Sequence, residues 1–250
     1  MASDAPHPAQ AAWRSDAPTI GDVQDSPTRF RDLTLDGFVN VLASAEPVPG
    51  GGSASAVAAS LGAALIAMVA SLSEGRPRYV MYADVHRRTK AAGTELADRL
   101  LRIADEDAAA YATFSAALKM PRETPDEQER RTDAMRAAAR VASEVPFRCV
   151  EACLEVVEGA ELLAARCNVN ASSDLDVAAL LAVAAAKGAA ANVLVNLPSV
   201  GDDDWAAEIS ERLEFLMKRI TTLAATTHEV VAGGELRAPV ASGTRTGTVA

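Results

Sequence analysis

The chain has 250 residues, 49% hydrophobic but only 4% aromatic, with a net charge of −10 and an isoelectric point near 4.8. That length suits one large domain or two small ones. The alanine-rich, aromatic-poor composition predicts closely packed helices, and the period-2 alternation of strands is nearly absent. The acidic balance argues against nucleic acid as the main partner, while local arginines leave room for an anionic small substrate.

Residues 1–30 lack periodicity and read as a disordered tail. Residues 31–232 read as one helical domain, and residues 233–250, with Gly, Thr and Ser, as a second flexible tail. No secretory signal is visible near the N-terminus. Thr34 caps a first helix in which Leu35, Phe38, Val39 and Leu42 follow the i, i+3, i+4, i+7 rule.

Next comes Pro47-Val48-Pro49-Gly50-Gly51-Gly52-Ser53, and then no charge until Glu74. Ser53 is a good N-cap, and the Ala-rich run behind it is strongly helical by propensity. A Gly-rich turn that opens a buried helix offers free N–H groups and a positive dipole end to an anionic or polar ligand group. Equally, the glycines could serve only to let two helices pack closely. The loop is neither a Walker A motif nor GxGxxG. Residues 54–73 are long enough to span a membrane, but their Ala, Ser and Gly content favours a centrally buried helix.

A third helix is predicted over about residues 80–118. Thr124-Pro125-Asp126-Glu127 is a capping box with Pro at the first helical position. The helix it opens is expected to reach about Arg166, with a kink or break at Pro146. A polar loop from Cys167 to Ser173 follows. Ser172 or Ser173 caps a fifth helix, Asp174 to about Leu197. Asp202, Asp203 and Asp204 open the last, where Trp205, Ile209, Leu216, Leu223 and Val230 line one face. About six long helices of this kind pack naturally as an all-α, multihelical antiparallel bundle. Their small-residue faces suggest close contacts, including across a dimer.

Two anomalies could carry chemistry. Asp107 falls in the middle of the apolar stripe formed by Leu96, Leu100, Ile103, Phe114 and Leu118. A carboxylate there is costly unless it is paired or functional; an ion pair with a neighbouring arginine is the plainer alternative. Asp105 and Glu106 lie off the stripe. The second anomaly is Asn168-Val169-Asn170-Ala171-Ser172-Ser173-Asp174, where Ser173 and Asp174 suffice for capping and the two Asn exceed that need. Five turns further along, Asn192 and Asn196 share a face in an apolar stretch. Buried amides require partners, which a heterocycle or a backbone carbonyl would supply.

Arg76 and Arg78, Lys119 and Arg122, and Arg130 and Arg131 form three basic groups. Each alone reads as solvated surface; together they could bind the carboxylates of a substrate tail. Cys149, Cys153 and Cys167 have no CxxC spacing and read as reduced core thiols of a cytoplasmic protein. His7, His86 and His228 have no metal-ligand spacing.

Taken together, Pro47 to Ser53, Asp105-Glu106-Asp107 before Tyr111, Lys119-Met120-Pro121 with Thr124-Pro125, Arg130-Arg131, Val145-Pro146, Asn170 to Asp174 and Asn192 to Leu197 resemble the cyclodeaminase/cyclohydrolase family of folate enzymes. The resemblance covers about residues 34–232. It implies a cyclodeaminase-like all-α subunit, a homodimer or higher oligomer, and a tetrahydrofolate substrate with no metal and no further cofactor. It makes Asp107 and Asp174 the catalytic candidates. Gly50, Gly51, Gly52 and Ser53 would line the folate pocket, with Asn170, Ser173, Asn192 and Asn196 binding substrate. Lys119 and Arg131 would hold the glutamate tail. Nucleic acid and membrane are not expected partners. Glu74 beside Gly75-Arg76 departs from the family pattern.

The family runs two reactions around the cationic 5,10-methenyl carbon. No stretch of this sequence corresponds to a formiminotransferase domain, which tilts the expectation toward hydrolysis of methenyltetrahydrofolate. Ring closure of formiminotetrahydrofolate is the runner-up, and a non-catalytic folate-binding or oligomerising protein the reading from another class.

Overall fold

A computed structural model describes residues 29–240. Nearly all of the predicted N-terminal tail, including His7, and residues 241–250 lie outside the described residues. Six α-helices and no strand occur among the described residues: α1 (Leu35–Leu42), α2 (Gly51–Ser73), α3 (Ala83–Leu118), α4 (Pro125–Leu163), α5 (Ser173–Asn196) and α6 (Asp203–Gly233).

The capping signals act as read at three starts. Thr34 accepts from the Gly37 N–H, Thr124 and Glu127 close the capping box of α4, and Asp202 accepts from the Trp205 N–H. At two starts they do not. Gly50, not Ser53, caps α2, and the Ser172 hydroxyl at the start of α5 donates to Val169 O. Helix α1 forms as predicted, but only Phe38 is buried, edge-on to Phe30 with ring centroids 5.7 Å apart. Leu35, Val39 and Leu42 stay exposed.

Helix α2 is the axis of the bundle, packed against α3 on one side and α5 on the other, with α4 behind. Both flanking helices run antiparallel to it. Ser53 donates to Ala104 O and Ser60 to Ala97 O, so a step forward on α2 is a step back on α3. Along α5, Gly51 sits beside Asn192 and Ser55 beside Gly188, while beyond the helix start Ser73 Oγ accepts from the Asn168 N–H at 2.8 Å. Small residues set these distances. A Cβ on Gly93 would lie 2.8 Å from Ala63 O, so α3 can approach α2 only with glycine there. Helix α6 closes the far side through Ile209, Leu213 and Ile220. The three cysteines are free and buried.

Of the kink or break expected at Pro146, the break does not occur: α4 runs through it for 39 residues. Proline has no N–H, so the carbonyl four residues earlier, on Ala142, loses its helical donor. Asn196 Nδ2, at the end of α5, donates to Ala142 O at 2.9 Å and fills that vacancy. One amide thus repairs α4 and ties α5 to it.

Residues 234–240 begin with Gly234 in the left-handed region (φ 69°), which ends α6. They then run against the end of α4. The Arg237 N–H donates to Ala165 O, the Arg237 guanidinium pairs with Glu161 at 2.6 Å, and Tyr82 donates to Arg237 O. Buried His86 contacts Arg166 O at 2.7 Å, and Arg166 donates to Ala238 O.

Two segments, Gly51–Ser73 and Val169–Ser199, are long and apolar enough to cross a membrane, and about half of each is buried within the bundle. Their exposed sides carry Leu61, Met68 and Leu72 on α2 and Val177, Leu180, Leu194 and Val195 on α5, with Lys187 among the latter.

If Asn196 serves Pro146, Asn196→Ala should cost about 1–3 kcal/mol by leaving a carbonyl unpaired. In urea denaturation that cost should shrink in a Pro146→Ala background, where residue 146 regains an N–H for Ala142 O. An unchanged cost in both backgrounds would refute the coupling.

Candidate functional site

The first turn of α2 and the middle of α3 meet where Gly52 faces Asp107. A Cβ at position 52 would lie 2.6 Å from Asp107 Cγ and 2.7 Å from Oδ2, closer than any real contact. Glycine here is therefore a requirement of the carboxyl group beside it. The plainer reading of the glycines holds for Gly52, since the group seated at the start of α2 is the protein's own carboxyl. Gly50 and Gly51 instead line the cleft it opens into.

Ser53 is wholly buried. Its Oγ lies 2.8 Å from Asp107 Oδ2 and 3.1 Å from Ala104 O. A hydroxyl has one proton to give. When Asp107 is ionised, Ser53 donates to it; when Asp107 is protonated, the acid can donate to Ser53 while Ser53 donates to Ala104 O. Both protonation states are accommodated without moving a heavy atom. Burial pushes the Asp107 carboxyl above the ordinary range, and hydrogen bonds from the Ser53 side chain and backbone only partly offset this. No arginine reaches it among the described residues, whereas both neighbouring acids have partners. Asp105 accepts from the Phe30 N–H at 2.6 Å, and Glu106 pairs with Arg148 at 2.6 Å.

Asp107 opens into a cleft of about 300 Å³ with walls from the Pro47–Gly52 turn, α3 and α5. The Val48–Pro49 peptide in this turn is cis. Tyr111 and Phe114 continue the Asp107 face of α3, and Asn192 and Val195 stand opposite. Asn192 Nδ2 donates to Gly188 O, which leaves its second N–H and its amide oxygen without protein partners among the described residues. Asn196 also borders the cleft, but its amide serves Ala142 O and Asn192 O. A second cleft of about 260 Å³ between α4 and α6 carries Arg148 and Arg212, already paired with Glu106 and Glu151. It holds no carboxyl comparable to Asp107.

The structure brings together Gly50, Gly51, Gly52, Ser53, Asp107, Asn192 and Asn196. It does not bring the rest. Asn170, Ser173 and Asp174 stand at the opposite end of α5, with Asp174 five turns or about 27 Å from Asn192 along the helix. Within one subunit Asp174 is no electrostatic partner of Asp107. Arg131 donates to Leu118 O at 3.2 Å and closes the end of α3, so its guanidinium faces a helix terminus rather than the cleft. Lys119 lies just past α3, one turn beyond Phe114, with no ion-pair partner among the described residues. The sequence reading of the site omits Tyr111 and Phe114, although their i+4 and i+7 spacing from Asp107 places them on its face. Among the described residues no three His, Cys, Asp or Glu side chains gather as a metal-ligand set.

Residues 34–215 match the formiminotransferase-cyclodeaminase family. The chain is 33% identical over 198 residues to the methenyltetrahydrofolate cyclohydrolase of Methylorubrum extorquens, covering 79% of this chain and 95% of that protein. It is 34% identical over 184 residues to the formimidoyltransferase-cyclodeaminase of Gallus gallus, covering 74% of this chain but only 34% of that protein. The crystal structure of formiminotetrahydrofolate cyclodeaminase from Thermotoga maritima superposes with a TM-score of 0.74 at 26% identity, over 81% of this chain and 98% of that one.

Two substitutions test the Gly52–Asp107 contact. Gly52→Ala should displace the carboxyl and destabilise the fold by about 1–3 kcal/mol. Asp107→Asn should do the reverse at neutral pH. The folded-state pKa lies above the unfolded value of 3.8, so the folded protein holds this proton more tightly. The stabilisation is complete at low pH and is lost as pH rises through the folded value. Asp107→Asn should therefore be at least as stable as the native chain near pH 7, with the advantage vanishing toward acid. Denaturation curves across pH read both effects.

Proposed function

The chain belongs to the formiminotransferase-cyclodeaminase family, and on that premise we propose that it hydrolyses 5,10-methenyltetrahydrofolate to 10-formyltetrahydrofolate. The observation that carries this reading is a lone carboxyl of raised pKa at the floor of a cleft with aromatic and amide walls. The match across 95% of the M. extorquens cyclohydrolase supports it.

In this reading the methenyl carbon, an amidinium cation, docks against ionised Asp107. The carboxylate's cost of burial is relieved when the cation arrives, and the attraction is strong because the site is partly dry. Asp107 takes a proton from the attacking water as its oxygen bonds to the carbon. The acid so formed returns that proton to N5 as the carbon–N5 bond breaks. The hydroxyl proton leaves to solvent, and the formyl group stays on N10. General base help of this kind contributes about 10²–10⁴-fold. Ser53 holds the carboxyl in either protonation state. Tyr111 and Phe114 supply flat surfaces for the heterocycle, and Asn192 offers a donor and an acceptor to its edge. Lys119 is the candidate for the glutamate tail. No cofactor beyond the folate is invoked. We place the reaction in the cytoplasm, a setting the three unpaired buried thiols support. We also propose a homodimer, joined through the apolar face of α2 and α5.

The likeness to the T. maritima cyclodeaminase favours a second reading on the same site. There N10 attacks the formimino carbon and its proton passes to the formimino nitrogen; neutral Asp107 gives that nitrogen one more proton as the carbon–nitrogen bond breaks, so ammonia leaves and the methenyl cation remains. Absorbance in the near-ultraviolet separates the two. Enzyme-dependent loss of the methenyl band means hydrolysis; its appearance from 5-formiminotetrahydrofolate means ring closure. Hydrolysis should speed up as pH rises through the Asp107 pKa, because the base must be ionised, and ring closure should slow. Asp107→Asn should lower either turnover by at least about a hundredfold. Near-native turnover in that variant would remove Asp107 from the chemistry.

A further inference from the structure

Two amides stand on the α5 wall of the cleft, and they differ in what they have left to offer a ligand. Asn196 Nδ2 donates to Ala142 O and to Asn192 O, both at 2.9 Å. A carboxamide nitrogen carries two hydrogens, so both are spent. Exchanging the nitrogen and oxygen would set Oδ1 against two carbonyls, so these bonds fix which way the amide points. The first of the two acceptors is free only because Pro146 has no N–H to give Ala142 O. A proline in α4 thus sets the orientation of an amide in α5.

The Asn196 Oδ1 accepts from no group among the described residues, and it is not shut off from solvent. Asn196 lines the cleft, so this oxygen is the one polar atom its side chain has free there. Asn196 is an acceptor and nothing else. Asn192 is different: one N–H goes to Gly188 O at 2.9 Å, and its second N–H and its oxygen remain. The order of the two along the wall matters. Asn192 sits beside Gly51, in the turn where Gly52 faces Asp107. Because α5 runs antiparallel to α2, Asn196 lies about 6 Å further on, beyond the start of α2 and away from Asp107. A ligand whose reactive carbon docks at Asp107 therefore meets a donor and an acceptor first, at Asn192, and an acceptor alone next, at Asn196.

We infer that Asn196 is a specificity-determining residue that accepts a hydrogen bond from the exocyclic 2-amino group of the folate heterocycle, with Pro146 as the residue that positions it. This rests on the folate reading of the cleft and names the edge of the substrate that the site reads. On that ring O4 lies nearest the reacting carbon, N3–H comes next, and the 2-amino group is farthest away. Asn192 donates to O4 and accepts from N3–H; the 2-amino group, a donor, meets Asn196 Oδ1. A ring with a carbonyl at that place would set two oxygens face to face, and the amide cannot turn to relieve them without breaking both of its own bonds. A site that commits a fixed acceptor to a ligand N–H rejects a ligand lacking that donor more strongly than shape alone would.

Binding tests the inference without requiring turnover. Asn196→Ala alone would also strip Ala142 O of its donor. The acceptor is therefore removed in Pro146→Ala/Asn196→Ala, where residue 146 again has an N–H for that carbonyl. Calorimetry compares 5-formyltetrahydrofolate with its analogue carrying hydrogen in place of the 2-amino group. The native chain should bind the parent compound at least about tenfold more tightly than the analogue, the loss expected for one unmade hydrogen bond. The double variant should bind the parent less tightly than the native chain does, and should hold the two compounds within about threefold of each other. An undiminished preference in the double variant, or no preference in the native chain, overturns the inference and leaves the folate reading in place. A native chain that binds neither compound overturns both.

Discussion

The contact between Gly52 and Asp107 is the constraint on which the rest of the site depends. A carboxyl group can stand in the first turn of α2 because residue 52 has no side chain to exclude it. That turn also supplies the Ser53 hydrogen bonds that hold it. The position is a compromise between opposing terms. Desolvation favours the neutral acid, while the serine hydroxyl and the N–H groups of the turn favour the anion. Burial wins, and the carboxyl is left with a raised pKa and no counter-ion among the described residues. A cationic substrate carbon would complete it in a way that no described side chain of the subunit does.

The bundle serves this contact by being thin. With few aromatic residues, the helices approach through Ala, Gly and Ser, and α2 can touch α3, α4 and α5 together. Close approach puts backbone within reach of side chains across helices. Ser53 meets Ala104 O, Ser60 meets Ala97 O, and Asn196 meets Ala142 O. The last of these bonds lies at the cleft itself. Pro146 frees a carbonyl at the cleft wall, and an amide from α5 occupies it, so α4 continues unbroken where the cleft needs a firm side.

Much of this is legible in the residues alone. Asp107 stands out because a carboxylate at the centre of a 3.6-residue apolar stripe contradicts the pattern around it, and Tyr111 and Phe114 follow from the same periodicity. Ser53 reads as a cap by a local rule, but a contact across 54 residues decides its role. That Pro146 does not break α4 has the same kind of reason: its compensation, Asn196, comes from another helix far along the chain. The stripe of α1 correctly signals a helix but not its burial, since an amphipathic pattern does not say what will cover it. The separation of Asp174 from Asn192 follows from the rise of an α-helix, yet the motif resemblance groups them.

The central claim is that Asp107 is a carboxyl held without a counter-ion until a cationic one-carbon unit docks on it. Its titration, followed by the carboxyl carbon resonance in labelled protein, measures this directly. The account predicts a pKa above the ordinary carboxylate range in the free protein, falling when the methenyl cation is bound by a slow-turnover variant such as Asn192→Ala. An ordinary or depressed value in the free protein, unmoved by the cation, would contradict it.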